Sequence, residues 1–291
     1  MLAIGGIVCV FVMVFGGYVL AGGNIMPIIH HAPLELMTIL GAGVGAFLIG
    51  NSALVVKQTL GGFGKIFKGP KWVADDYRDL LCLLFLLTKT MKTKGAMVLE
   101  THIENPHESV IFSHYPKILD DHFAIDMICD TLRMISMNLD DPHQVEDMLE
   151  KQLEKHHHEA LGPSHAVQML ADGLPALGIV AAVLGVIKTM ASISAPVEVL
   201  GEMIGGALTG TFLGVFLAYG FFGPFGTRLK DIEDEDFQFY RIIRDMLVAH
   251  LQGNAPQISV EVGRGSVPSY IQPNFLELET AISEIPPEVA A

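Results

Sequence analysis

Charge is scarce in this chain, and basic charge scarcer still. Of 291 residues 17% are Asp, Glu, Lys or Arg, and 18 basic side chains stand against 32 acidic ones for a formal net charge of −14. Without a basic field, nucleic acid is excluded as a partner. Cysteine is almost missing: Cys9, Cys82 and Cys129 are far apart and form no CxxC, so neither a disulfide framework nor a thiolate metal site is expected. Signatures of catalysis are missing too. Gly41, Gly43 and Gly45 do not make a GxGxxG turn, no P-loop or GxSxG occurs, and His158-Glu159 is followed by Gly162 where HExxH needs histidine. His156, His157 and His158 are adjacent, so a helix would point them in different directions rather than pair them at i, i+4, and a solvated face is expected. Neither an enzyme nor a metal or other cofactor is expected.

What fills the chain instead is apolar. Hydrophobic residues make up 51%, glycine contributes 30 residues and the mean hydropathy is +0.45, too much apolar surface for one soluble domain. Four runs, 2–20, 34–56, 170–190 and 200–225, approach or exceed the ~20 residues a bilayer core requires. The first precedes the small residues Ala21-Gly22-Gly23, but it lacks a basic n-region and is longer than the apolar core of a secretory signal, so it is expected to remain as a span. Every Lys and Arg except Lys188 falls within 57–155 or from Arg228 onward, which places the middle loop, the tail and the N-terminus in the cytoplasm. The connections around 24–33 and 192–196 then face the other side.

Between the second and third runs lies a loop too long to be a connector. Apolar residues at helical spacing mark helices over 75–94 and 120–138, and a more polar one over 142–160 begins after Asp140-Asp141. The tail carries a helix over 231–251, an alternating segment over 257–272 expected to be extended or irregular, and a short amphipathic piece over 275–282. The expected fold is all-α, a polytopic membrane protein with four transmembrane helices and a helical cytoplasmic domain. Its divisions are spans one and two in 1–56, a loop domain in 57–168, spans three and four in 169–225, and a cytoplasmic tail in 226–291.

The last two spans are built from small residues: ADGLPALGIVAAVLGVI over 171–187 and GGALTGTFLGVFLAYGFFGP over 205–224. Gly206, Gly210, Gly214 and Ala218 recur every four residues, a smooth stripe for tight helix packing. Thr211 beside it either bonds its own helix or offers a polar lining to an ion path. If Asp172 caps a helix, Pro175 lies harmlessly in the first turn; if the helix begins near Ser164, Pro175 frees a carbonyl and bends the span. Pro224 reads as a terminator. An ion carrier needs a group that takes up and releases charge within the membrane, yet Glu35, Asp172, Lys188 and Glu202 sit near the ends of the runs. Either the chain moves no ion, or a partner helix supplies the carboxylate. Lys92 and Glu100 lie eight residues apart across Gly95; they face the same way if the helix continues, and are otherwise ordinary solvated charges.

The wording of these two spans closely resembles the MotA family, the A subunits of bacterial flagellar stators in the MotA/TolQ/ExbB proton channel superfamily. The resemblance extends to VLETHIENP over 98–106, Phe112-Ser113-His114-Tyr115-Pro116, and the tail blocks from Ala255-Pro256-Gln257 through Arg264 and over 273–279. It implies a homo-oligomeric ring, a pentamer, of A subunits in the bacterial inner membrane around single-span, peptidoglycan-binding MotB-like subunits whose helix carries an aspartate. The cytoplasmic loop would push on the rotor's switch-complex protein. By position, the resemblance makes Pro175 and Pro224 the family's two functional prolines, with Asp172 beside the first, Thr211 the channel-facing threonine, and Glu100 the acidic residue of the rotor contact. Lys92 stands where well-known members have arginine, keeping the charge but not the bidentate fork. Sodium-driven relatives have threonine at the positions of Ala182 and Gly210, so protons are the expected ion, since a hard cation needs those oxygens. The alternative is an ExbB/TolQ-like energising subunit for outer-membrane processes, which typically has three spans; a self-contained solute transporter would need a repeat this chain lacks.

Overall fold

The computed structural model describes residues 2–137, 139 and 141–286. Asn138 and Asp140, at the edges of two expected helices, and the end of the tail from 287 lie outside them. The chain runs α1 (Leu2–Phe11), α2 (Gly17–Leu20), α3 (Met26–Gly50), α4 (Ala53–Lys68), α5 (Ala74–Lys94), α6 (Ala96–Glu104), α7 (Val110–Ser113) and α8 (Pro116–Leu119). It continues through α9 (His122–Ser136), α10 (Pro142–Ala160), α11 (Gly162–Ala191), α12 (Val197–Leu217), α13 (Gly223–Leu251), α14 (Pro256–Gly265) and α15 (Phe275–Ser283). Single π-helical turns at Val12–Gly16 and Ala218–Phe222 join α1 to α2 and α12 to α13. Among the described residues there is no strand, and four helical stretches are long and apolar enough to cross a membrane.

Two compact units divide the chain, one of residues 1–69 and 160–233, the other of 70–159 and 234–291. In the first, α3, α11 and α12 pack on one another around Ile39, Leu174, Ala181 and Leu213. The N-terminal span docks through aromatic rings: Phe11 and Phe15 meet Phe212, Phe216 and Phe221 at centroid distances of 5.2–5.9 Å, mostly edge to face or tilted. Outward-facing Ile179, Val183, Leu184 and Ile187 of α11 are more than half exposed, the signature of a surface meant for lipid or other chains.

The second span begins earlier than the sequence suggests. Asn24 Oδ1 accepts from Met26 N at 3.0 Å and Pro27 occupies the first turn, so the connection expected around 24–33 is helix from Met26 onward and Pro33 is internal to it. The span also stops sooner, at Gly50. Asn51 turns extended and its Nδ2 donates to the Phe47 carbonyl at 2.8 Å, while Ser52 caps α4. Span four does not stop at Pro224. The π turn ahead of the proline disturbs the i, i+4 ladder where the missing N–H falls, and helix continues as α13 to Leu251.

The second unit is centred on α5, whose Leu80, Leu81, Leu83, Leu84, Leu86 and Leu87 are all essentially inaccessible, as a helix apolar on every side must be. Trp72 stacks on Phe239 with centroids 3.8 Å apart. Buried carboxylates tie the entry to α5 down: Asp236 accepts from Lys71 N at 2.7 Å, Asp76 from Val73 N at 2.8 Å and from Lys117 Nζ. Asp121 caps α9 and also accepts from Tyr240 Oη at 3.0 Å and Lys71 Nζ at 2.5 Å. The segment expected to be extended over 257–272 is helical in its first part. Pro256 opens α14, and Gly263 lets it approach so closely that an added Cβ would meet Leu81 Cδ2 at 2.9 Å. Nor are the three adjacent histidines a solvated face: His156 stacks on Phe123 at 3.6 Å and His157 on Phe237 at 4.1 Å, leaving His158 exposed.

Candidate functional site

The small-residue stripe of α12 is consumed inside the chain. A Cβ added at Gly214 would lie 2.7 Å from the Leu174 carbonyl oxygen and 2.8 Å from Gly178 Cα, and one added at Gly178 would meet Gly210 O at 2.9 Å. Gly185 repeats the pattern against Ala207, and Ala218 at the end of the stripe is buried. Backbone is thus in van der Waals contact with backbone along α11 and α12, the packing that small residues at helical spacing provide.

The third wall of this contact is α3. His31 and Glu35, one turn apart, lie in the groove that Gly206 and Gly210 leave open: a Cβ at Gly206 would be 2.8 Å from His31 Nδ1, and one at Gly210 would be 2.7 Å from Glu35 Oε2. With α3 starting at Met26, Glu35 is its tenth residue and not an end-of-span charge. The His31–Glu35 pair escaped the sequence because the boundary between the connection around 24–33 and the run over 34–56 falls between the two residues. The i, i+4 spacing of an imidazole and a carboxylate was the signal available.

Ala182 and Gly210 meet here too, with Ala182 N 3.4 Å from the position of a Gly210 Cβ and Ala181 Cβ 3.1 Å from it. Thr211, the next residue on α12, is half-buried. A threonine at Gly210 would therefore need Glu35 and α11 to yield. Of the sequence-derived path residues, Ala182 and Gly210 meet, with Thr211 following Gly210 on α12, whereas Asp172 is exposed near the start of α11's apolar part and Pro224 is exposed beyond the π turn. Asp172 caps nothing: α11 begins at Gly162, and the carboxylate accepts from Gln168 Nε2 at 2.9 Å within the helix. Pro175 is accordingly internal, and it removes the rung to the carbonyl of Ala171.

In the second unit Lys92 and Glu100 are both exposed. Gly95, with φ of +86°, ends α5 and starts α6 in a new direction, so the two charges do not share one helix. Lys92 Nζ reaches the Asn254 carbonyl at 3.5 Å. Behind Glu100, His102 Nδ1 pairs with Ser109 Oγ at 2.7 Å, and burial first, then Lys94, holds the imidazole below its usual pKa.

Residues 4–95 match the Motility protein A N-terminal family and residues 120–240 the MotA/TolQ/ExbB proton channel family. The chain is 40% identical over 285 residues to Motility protein A of Salmonella typhimurium, covering 98% of this chain and 96% of that protein. It is 39% identical over 285 residues to Motility protein A of Escherichia coli, with the same coverage. The MotAB structure from C. jejuni shares the fold with a TM-score of 0.72 at 19% identity, over 91% of this chain and 95% of that one. Together with the four apolar helices and the packed small-residue core, these matches show that the chain belongs to the motility protein A family.

Proposed function

We propose that this chain is the A subunit of a proton-conducting flagellar stator, which works with a single-span, peptidoglycan-binding MotB-like subunit to drive the rotor. The observation that carries the reading is the near-full-length identity to motility proteins, which extends through both cytoplasmic and membrane parts. Its geometry supports a division of labour. The exposed apolar face of α11 is a surface for neighbouring copies in a homo-oligomeric ring, a pentamer in this reading, and for the partner helix that brings the aspartate. Ala182, Gly210 and Thr211 form the wall beside which that carboxylate is protonated and released in this reading, and the crowding of Gly210 by Glu35, Ala181 and Ala182 leaves little room there for the oxygen ligands that sodium needs. Pro175 and Pro224 are where the helical ladder is interrupted, and a conformational step would bend there.

Lys92 and Glu100 meet the rotor's switch-complex protein. One charge crossing ~100 mV releases about 2.3 kcal/mol, whereas an exposed ion pair is worth roughly 0–1 kcal/mol, so rotor contacts break at every step without trapping it. Neutralising Glu100 (E100Q) should then reduce swimming speed only partly at unchanged protein level; paralysis with intact assembly would contradict weak contacts. Both termini and the large loop lie in the cytoplasm of a multi-pass inner-membrane protein in this reading. Deleting the gene tests the assignment: normally flagellated but non-swimming cells, rescued by the intact gene, are expected, and unchanged swimming in a strain with no second stator set would refute it.

A further inference from the structure

Three ligating side chains meet near the starts of α3 and α12. One ring nitrogen each from His30 and His31 and a carboxylate oxygen of Glu202 lie within 4.8 Å of one another. Three points so spaced share a centre at most about 2.8 Å from each (4.8 Å divided by √3), and zinc bonds to nitrogen and oxygen are about 2.0–2.2 Å, so sub-ångström side-chain adjustments close a coordination shell. The neighbourhood is shaped for it. Gly206, one turn beyond Glu202 on the same face of α12, leaves the notch in which the His31 ring lies. Buried Nε2 of His31 has no hydrogen-bond partner among the described residues, a costly state for a polar nitrogen and a natural one for a ligand. The His30 and His31 rings are crossed at 83° with centroids 5.3 Å apart, and although neighbours on a helix diverge at their Cβ atoms, each of these two rings presents a nitrogen to the cluster.

We propose that His30, His31 and Glu202 form a Zn²⁺ site that clamps α3 to α12. Two imidazoles and one carboxylate suit zinc and its neighbours better than magnesium or calcium, and the exposure of His30 and Glu202 leaves the remaining position to water. The sequence hides the site because its ligands are contributed by two helices 170 residues apart, with no motif on either one.

Calorimetric titration of the chelator-stripped, full-length protein in lipid nanodiscs with Zn²⁺, and visible spectra with Co²⁺, test the site without reference to motility. His30→Gln and Glu202→Gln alter exposed side chains and leave the α3–α12 packing in place; His158→Gln, in the other unit, is the control. One tight Zn²⁺ per chain and a Co²⁺ ligand-field band are expected in the parent and the control. Since even second-shell changes cost 10–100-fold in affinity, loss of a ligand should weaken Zn²⁺ binding at least about tenfold and remove the band. Equal affinity in all variants, or no stoichiometric binding by the parent at micromolar Zn²⁺, would overturn the proposal.

Discussion

Single residues in this chain are constrained most where nothing but backbone surrounds them. At Gly214 a methyl group would press on the Leu174 carbonyl and on Gly178 Cα, neither of which can rotate away. Overpacking of this kind costs about 1–3 kcal/mol, so Gly214→Ala should lower the thermal midpoint of the purified protein, while Gly45→Ala in α3, with nothing within 4 Å, should not. Equal midpoints would show that α11 and α12 are not in backbone contact. His102 and His250 constrain the other unit electrostatically. Burial is the leading cause at each, with Lys94 and Lys92 adding repulsion, and both are held below the ordinary 6.5. Below about pH 6.5 the unfolded chain binds protons that the folded unit refuses, so stability present above that pH is lost as pH falls towards the folded values. Thermal unfolding should therefore shift down between about pH 7.5 and 5.5, and less so in His250→Gln. A flat profile in the parent would remove burial as the cause. The glycine stripe was legible from its spacing alone. What faces it was not, since periodicity on one helix does not name the neighbour, and Glu35 was concealed by a misplaced helix start.

Among the elements, α11 and the α12–α13 pair depart most from local rules. Proline inside a helix costs about 3 kcal/mol relative to alanine, and at Pro175 the chain accepts that cost within a continuous helix. If the interruption serves the conformational step, Pro175→Ala should accumulate as well as the parent, or better, and yet swim slowly; normal swimming would reduce Pro175 to a tolerated irregularity. Helices over 75–94, 142–160 and 275–282 could be read from apolar periodicity and capping almost to the residue, as α5, α10 and α15 show. Pro224 and the 257–272 segment could not. Proline and glycine normally stop helices, and here a π turn and the close approach of Gly263 to α5 override them through tertiary contact that no local pattern encodes. The packing of His156 and His157 is hidden from the sequence for a related reason, because stacking on Phe123 and Phe237 joins elements distant in the chain.

As a whole molecule, the chain combines a helical membrane unit, apolar outside and close-packed inside, with a helical unit that has a conventional buried core. That combination, the four spans and the all-α class were legible from hydropathy and charge asymmetry; the family was legible from blocks of sequence in their order. An ion-driven machine needs both parts, one to handle the ion and one to transmit force. Proton-driven torque is measured most directly by bead-assay rotation during induced expression of this chain in its own deletion strain. Rotation should return in discrete speed increments, collapse when an uncoupler removes the proton gradient, and be indifferent to sodium at fixed pH. Rotation that never returns, or that follows sodium and survives the uncoupler, would contradict the account.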